Sequence, residues 1–591
     1  MSDILVSYAA LSASSSHSDL THVLQSIINS PSLTIDPTTR QEILKLLLND
    51  LRLVGPKAKL TNKDAALALL AVKTLGKDRS GSQYLSSPAN LSLLLALSST
   101  FKDDPETSNE ALRCIANALL LIDDARTTFS TEEVGGGTAT ANMLEKAISP
   151  DQIFIASRIL FLCTASATSF IQNLMDEKYH GRTIVDIIGS KLDLLTTAIL
   201  SATRMAREAM TDLLKFTFNI LLYYPKLVES EPQTKEALDE KEAKIMGDFW
   251  ALKLDGILPP LLRTFNALPS SSPSPITAPL THVIHALITI PVSSSLRPYW
   301  FGNLPPTSRP SSSPASKPAS PRSSSLSPTR SSSPSPANNH SPRLSPLDRA
   351  LSVLSPHRSI PRAGSQIDVV QRAMDLLDVS LFHFFPGVTE PDDPSLRDIV
   401  KRESPDNSLD DLLSPLLVLI SRLCIADETT RIRIRQWIVP DDLDRSSPLE
   451  GRSDLLGRCL RLLGSVYHPR LKDSVGEMLF AMADSDASTL SALVGYGNVA
   501  GYLFNKGIMN APPPNTRTTN VSLTTPSGAP INPITGTMEK PKPDLPDMTE
   551  DEKEQEMEKL FVLFDRLEKT GALPKDQNPM RKAIQEGKLS I

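Results

Sequence analysis

The segment VGYGNVA (494–500) fits the pattern G-x-G-x-x-A through Gly495, Gly497 and Ala500. After a strand and before a helix, such a pattern cradles a pyrophosphate on backbone N–H groups. Here it follows TLSALV, which has helical spacing, and no acidic residue stands about twenty positions on to hold a ribose hydroxyl. A tight turn between two packed helices is expected instead. Gly135, Gly136 and Gly137 lack the G-K-[ST] ending that would bring a lysine and a hydroxyl to phosphate and magnesium, so they read as a flexible loop. The nine histidines include no H-E-x-x-H, and neither a G-x-S-x-G elbow nor a kinase motif set occurs. The four cysteines (Cys114, Cys163, Cys424, Cys459) lie far apart with no C-x-x-C, which points away from both a disulfide framework and a zinc site. With carboxylates sparse in the apolar segments, neither covalent catalysis nor a metal or cofactor is expected.

The chain does place polar groups regularly on apolar segments. Glu208, Asp212, Lys215 and Asn219 follow a 4, 3, 4 spacing, and Arg113 and Asn117 are four apart, so each set shares one face of a helix. In armadillo-type solenoids, an asparagine on the inner helix of a repeat can clamp a bound peptide backbone through donor and acceptor together. A single one can equally satisfy the end of a neighbouring helix, but Asn117 and Asn219, read as standing on successive repeats, favour a groove.

Between Gln41 and Tyr224 nearly every segment has Leu, Ala and Ile recurring at three and four residues, as in EILKLLLNDLRLV (42–54), ALRCIANALLLI (111–122) and TDLLKFTFNILLYY (211–224). Thr107 with Glu110 reads as a capping box, ahead of a face formed by Leu112, Ile115, Leu119 and Ile122. At 591 residues the chain is too long for one core, and at 40% apolar it is not disordered throughout. Many short helices joined by polar turns bury their apolar faces by stacking, so the expected fold is all-α, an armadillo/HEAT-like solenoid. Its first part covers 1–303.

Residues 305–346 hold 16 Ser and 11 Pro in 42 positions, with seven Ser-Pro steps and no acidic residue. They define a disordered Ser/Pro-rich insertion over 304–365 whose Ser-Pro steps suit a proline-directed kinase or serve as a plain spacer. Helical spacing resumes over 366–510, and a flexible linker follows at 511–546. The next element is an amphipathic helix at 547–571, with a Thr549/Glu552 capping box and a stripe of Met557, Leu560, Phe561, Phe564 and Leu567. A tail at 572–591 completes the chain. The net charge of −6 argues against a dominant nucleic-acid footprint. Without a signal-like start or an apolar run near the ~18 residues of a membrane span, a cytoplasmic monomer is expected.

Several segments together resemble the synembryn family of exchange factors and folding chaperones for heterotrimeric G protein α subunits (Gα). They are ALRCIANALLL (111–121), LLKFTFNILL (213–222), RSSPLEGRSDLLGRCLRLL (445–463), VGYGNVAGYLFNKGIM (494–509) and NPITGTMEKPKPDLPDMTEDEKEQEMEKLFVLFDRL (532–567). The resemblance implies an armadillo-like superhelix whose concave surface takes the C-terminal helix of Gα, and a following segment that grips the Ras-like domain. It implies a groove of Lys73, Lys77, Asn117 and Asn219, to which Arg113 and Lys215 are added as Gα-binding candidates because they share the helix faces of Asn117 and Asn219, with Phe561 and Phe564 as a second contact. The family prefers Arg where Lys73 and Lys77 stand, so point-charge attraction replaces bidentate recognition there. It usually has Asn where His285 and Thr289 stand, and the acidic, phosphorylatable stretch of its animal members has no counterpart in 512–531. The implied mechanism is displacement of the Gα C-terminal helix, which pulls the guanine-contacting loop from the base; GTP with magnesium then ejects the factor. An alternative is a peptide-binding scaffold without exchange activity.

Overall fold

The computed structural model describes residues 3–30, 35–228, 250–302, 368–508 and 528–539, with the single positions Thr549 and Met557. Helix starts follow a recurring local rule. Asp36-Pro37, Ser87-Pro88, Asp104-Pro105, Ser149-Pro150 and Asp393-Pro394 each set a side chain that accepts a backbone N–H in front of a proline. The cap satisfies an orphan donor, and the proline is pre-set for the first helical residue.

Eight helices form one row: α1 (His17–Asn29), α2 (Ala65–Leu75), α3 (Pro105–Leu121), α4 (Pro150–Cys163), α5 (Ala206–Val228), α6 (Leu280–Leu287), α7 (Leu409–Ala426) and α8 (Pro469–Met482). Each packs on the next. A second row lies against it, made of Pro37–Arg52, Pro88–Thr100, Gly136–Lys146, Ile184–Leu200, Leu258–Ala267, Val369–Phe384 and Leu455–Leu462. Each of these precedes its first-row partner in sequence. A single hydrophobic core runs between the rows, and a fully buried Leu or Ile within it contributes about 1.5–3 kcal/mol. The fold is therefore an all-helical, armadillo/HEAT-like solenoid.

The stacking continues from α6 to α7 across the 65 residues 303–367, which lie outside the described set. Polar ties reinforce that junction. Arg372 donates to the Leu268 carbonyl (2.6 Å), Arg297 to the Ala426 carbonyl (2.6 Å) and to Asp427, and Arg422 to the Ile288 carbonyl.

Three local expectations need correction. The capping residue of α3 is Asp104, which accepts from the N–H groups of Glu106 and Thr107; because Pro105 starts the helix early, Thr107 lies inside the first turn and Glu110 is buried. Gly136 and Gly137 are not a loop but open the helix Gly136–Lys146. A Cβ on Gly136 would sit 2.4 Å from the Phe129 ring, and one on Gly137 2.2 Å from the Phe170 ring. Residues 528–539, within the stretch expected as linker, are seated on the end of the solenoid: Tyr496 and Gly497 donate their backbone N–H groups to the carbonyls of Pro533 and Ile534, both at 2.8 Å. Gly495 does form the expected tight turn, between helices Ala487–Val494 and Tyr496–Asn505, with φ at 85°.

Candidate functional site

The polar groups of the first row are linked from helix to helix. Lys73, near the end of α2, lies 2.5 Å from Glu110 Oε2 of α3. The other carboxylate oxygen of Glu110 accepts from Arg113 at 2.5 Å, and Arg113 Nη2 reaches both oxygens of Asp151 on α4 at 2.7 and 2.9 Å. Asn109 adds a bond to Asp151 at 2.7 Å. Burial works against the charge of Arg113, but the two carboxylates outweigh it and hold its pKa above the usual arginine value.

A second linked group follows along the row. Arg158 of α4 donates to Asp212 of α5 at 2.7 Å and stacks over the Phe154 ring at 4.7 Å. Lys215 stands 3.8 Å from Asp212 and 5.8 Å from the Phe161 ring centroid. On α6, His282 and His285 meet edge to face at 6.1 Å. Burial, with Lys215 and His285 adding to it, pushes the pKa of His282 down to about 4; burial lowers that of His285 against the pull of Asp411. On α7, Asp411 pairs with Arg470 of α8 at 2.6 Å, and Asp410 accepts from the N–H groups of Arg470 and Leu471 at the start of α8.

The candidate residues from sequence fall on this row in different conditions. The Asn117 amide donates to the carbonyl of Lys73 at 3.3 Å, and the Asn219 amide to the carbonyl of Phe161 at 3.1 Å and the hydroxyl of Thr164 at 3.2 Å. Each closes the last turn of the preceding helix in the row, the helix-end role that sequence left open beside peptide clamping. They stand on α3 and α5, with α4 between, so they are not on successive repeats. Lys73, Arg113 and Asn117 are brought together; Lys215 and Asn219 form a separate group. Lys77 is exposed just past the end of α2. Glu208 is exposed as well, apart from the buried Asp212. Phe561 and Phe564 lie outside the described residues.

Sequence reasoning missed Arg158, His282, Asp151 and the pairing role of Glu110. Arg158 had a signal, as the one charged residue in the apolar run IFIASRILFLC. Among the described residues no group of three or more His, Cys, Asp or Glu could hold a metal ion, and no helix is long and apolar enough to cross a membrane. The four cysteines are free and buried, and burial raises each thiol's pKa. This row presents partly exposed cations, Lys73, Arg113, Arg158 and Lys215, each beside a carboxylate.

A family model described as the guanine nucleotide exchange factor synembryn matches residues 68–588, and the chain belongs to that family. The Chaperone Ric-8 of Drosophila pseudoobscura pseudoobscura is 29% identical over 190 residues, covering 30% of this chain and 32% of that protein. The Chaperone Ric-8A of Xenopus laevis is 29% identical over 167 residues (27% and 31%), and that of Mus musculus 29% over 174 (28% and 32%). The chain thus spans about a third of the length of these curated relatives. A solved structure concerning the interaction between cadherin and beta-catenin aligns at 12% identity over 85% of this chain and 96% of that one, with a TM-score of 0.23, too low to bear on the argument.

Proposed function

We propose that this chain is a guanine nucleotide exchange factor and folding chaperone for Gα subunits that acts by binding, without a covalent step. The observation that carries the proposal is the family match over 68–588, which takes in both parts of the solenoid and the segment beyond it. The paired charges of α2 to α5 suit the reading. A helix with acidic groups, bound along the row, exchanges its carboxylates for Glu110, Asp151 or Asp212 against Lys73, Arg113, Arg158 and Lys215. Lys77, exposed beside them, offers a cation that needs no exchange.

The mechanism follows from differential affinity. A factor that grips the Gα C-terminal helix in a displaced position draws the guanine-contacting loop from the base. It accelerates GDP release only by as much as it favours the nucleotide-free state over the GDP-bound one. The same grip covers a helix that newly made Gα leaves exposed, which unites exchange with chaperoning. The family description names exchange and the relatives are named chaperones, so two measurements test the proposal: GDP release from purified Gα, and the soluble yield of Gα translated in vitro with and without the protein. Acceleration of release establishes exchange; a rise in yield alone establishes a chaperone without exchange activity; the absence of both responses refutes the proposal.

A further inference from the structure

Arg158 of α4 is held at one edge and open at the other. Its Nε donates to Asp212 of α5 at 2.7 Å, and its guanidinium lies 4.7 Å over the ring of Phe154, one turn earlier on α4. Asp212 is a firm anchor, its side chain 3% exposed, whereas that of Arg158 is 43% exposed. Among the described residues neither terminal nitrogen of Arg158, Nη1 or Nη2, has a hydrogen-bond partner. Arg113 differs: Glu110 takes its Nη1, and both oxygens of Asp151 take its Nη2.

The ion pairs around it do not balance. Lys73 and Arg113 meet two carboxylates, Glu110 and Asp151, but Arg158 and Lys215 share one, Asp212. The positive field reaches the next helix of the row, where Lys215 adds to the burial that lowers the pKa of His282. A guanidinium fixed through Nε and an aromatic face presents its two terminal nitrogens as a planar fork. That fork matches the two oxygens of a carboxylate, and little side-chain freedom is left to lose on binding. Lys215, a point charge on a flexible stem, has no such geometry.

We infer that Arg158 is a specificity-determining residue of the row: its open Nη1/Nη2 edge grips one carboxylate of the bound helix in bidentate fashion while Nε stays on Asp212. The inference rests on the functional reading above, in which the row takes the C-terminal helix of Gα. No internal ion pair has to break for this contact. At Lys73 and Arg113, by contrast, Glu110 or Asp151 must first be displaced. Two sources supply a carboxylate on such a helix, an acidic side chain or the chain terminus.

The test titrates the full chain, and its Arg158→Lys and Phe154→Leu variants, with a synthetic peptide of the Gα C-terminal helix. Arg158→Lys keeps the charge and removes the fork. Phe154→Leu keeps Arg158 and Asp212 and removes the ring beneath the guanidinium. The peptide is prepared with each acidic side chain in turn replaced by its amide, and separately with an amidated terminus, so that double-mutant cycles find the partner of Arg158. The expected result is roughly tenfold weaker binding by Arg158→Lys, the worth of one charge-assisted hydrogen bond, and a smaller loss for Phe154→Leu. One peptide carboxylate, on a side chain or at the terminus, is expected to lose its contribution in both variants. Three results overturn the inference alone: unchanged affinity of Arg158→Lys, a loss that every peptide shares equally, or no binding of the peptide by a chain that binds intact Gα. If the unaltered chain binds neither peptide nor intact Gα, the functional reading falls and this inference with it.

Discussion

The side-chain amide of Asn219 donates across 3.1 Å to the carbonyl of Phe161, joining α5 to the last turn of α4. Asn219 is 8% exposed, and its amide also reaches the buried Thr164 hydroxyl. Asn117 makes the corresponding bond to Lys73 from a less buried position and with one partner. The two asparagines are therefore unequal in their contribution to the fold. Asn219→Ala leaves a helix-end carbonyl and a buried hydroxyl short of a donor, and is expected to destabilise by about 1–3 kcal/mol, against about 1 kcal/mol or less for Asn117→Ala. Denaturant midpoints of the two variants check this, and equal shifts contradict it.

The charged network carries a prediction for binding. Arg113→Met removes the cation shared by Glu110 and Asp151. It is expected to weaken Gα binding about tenfold, or ~1.4 kcal/mol, and to flatten the dependence of affinity on ionic strength. A titration at low and moderate salt reads both. Full affinity with an unchanged salt slope removes Arg113 from the site.

His282 supplies a pH prediction. Its folded pKa of about 4 lies below the unfolded value of 6.5, so the unfolded state binds the extra proton as the pH falls. The associated stability is fully present above pH 6.5 and is lost between 6.5 and 4, to a total of at most about 3 kcal/mol. His282→Gln is expected to reduce that acid sensitivity, as read from thermal midpoints at pH 7.5 and pH 5. An unchanged difference between the two pH values contradicts the assignment.

Gly137 is packed for its lack of a side chain. With the Phe170 ring 2.2 Å from where a Cβ would sit, Gly137→Ala is expected to destabilise the helix Gly136–Lys146 by about 1–3 kcal/mol through overpacking. Faster amide exchange over 137–146 is the readout, and unaltered exchange rules the packing argument out.

The stacked helices were legible in the sequence because each apolar face repeats locally: Leu112, Ile115 and Leu119 announce their face within one helix and are buried as expected. Pairings between helices were not legible. Asn219 and Phe161 are 58 residues apart, and their contact depends on the register of α5 against α4, which no local pattern encodes. Glu110 misled because a carboxylate three residues after a threonine imitates a capping box, while Asp104-Pro105 had already fixed the helix start. The seat for residues 528–539 escaped for another reason. Its Pro, Asn, Thr and Gly content fits a loop, which it is, but what orders it is Arg445, 91 residues from Gly536.

In the function proposed above, this chain opens the nucleotide site of Gα by binding alone. The most direct measurement is the rate of labelled GDP release from a purified Gα subunit over a concentration series of the full chain, with Arg113→Met alongside. Release is expected to accelerate to saturation, with the variant needing about tenfold more protein to reach the same rate. Binding of Gα by the full chain with no change in the rate of GDP release would contradict it.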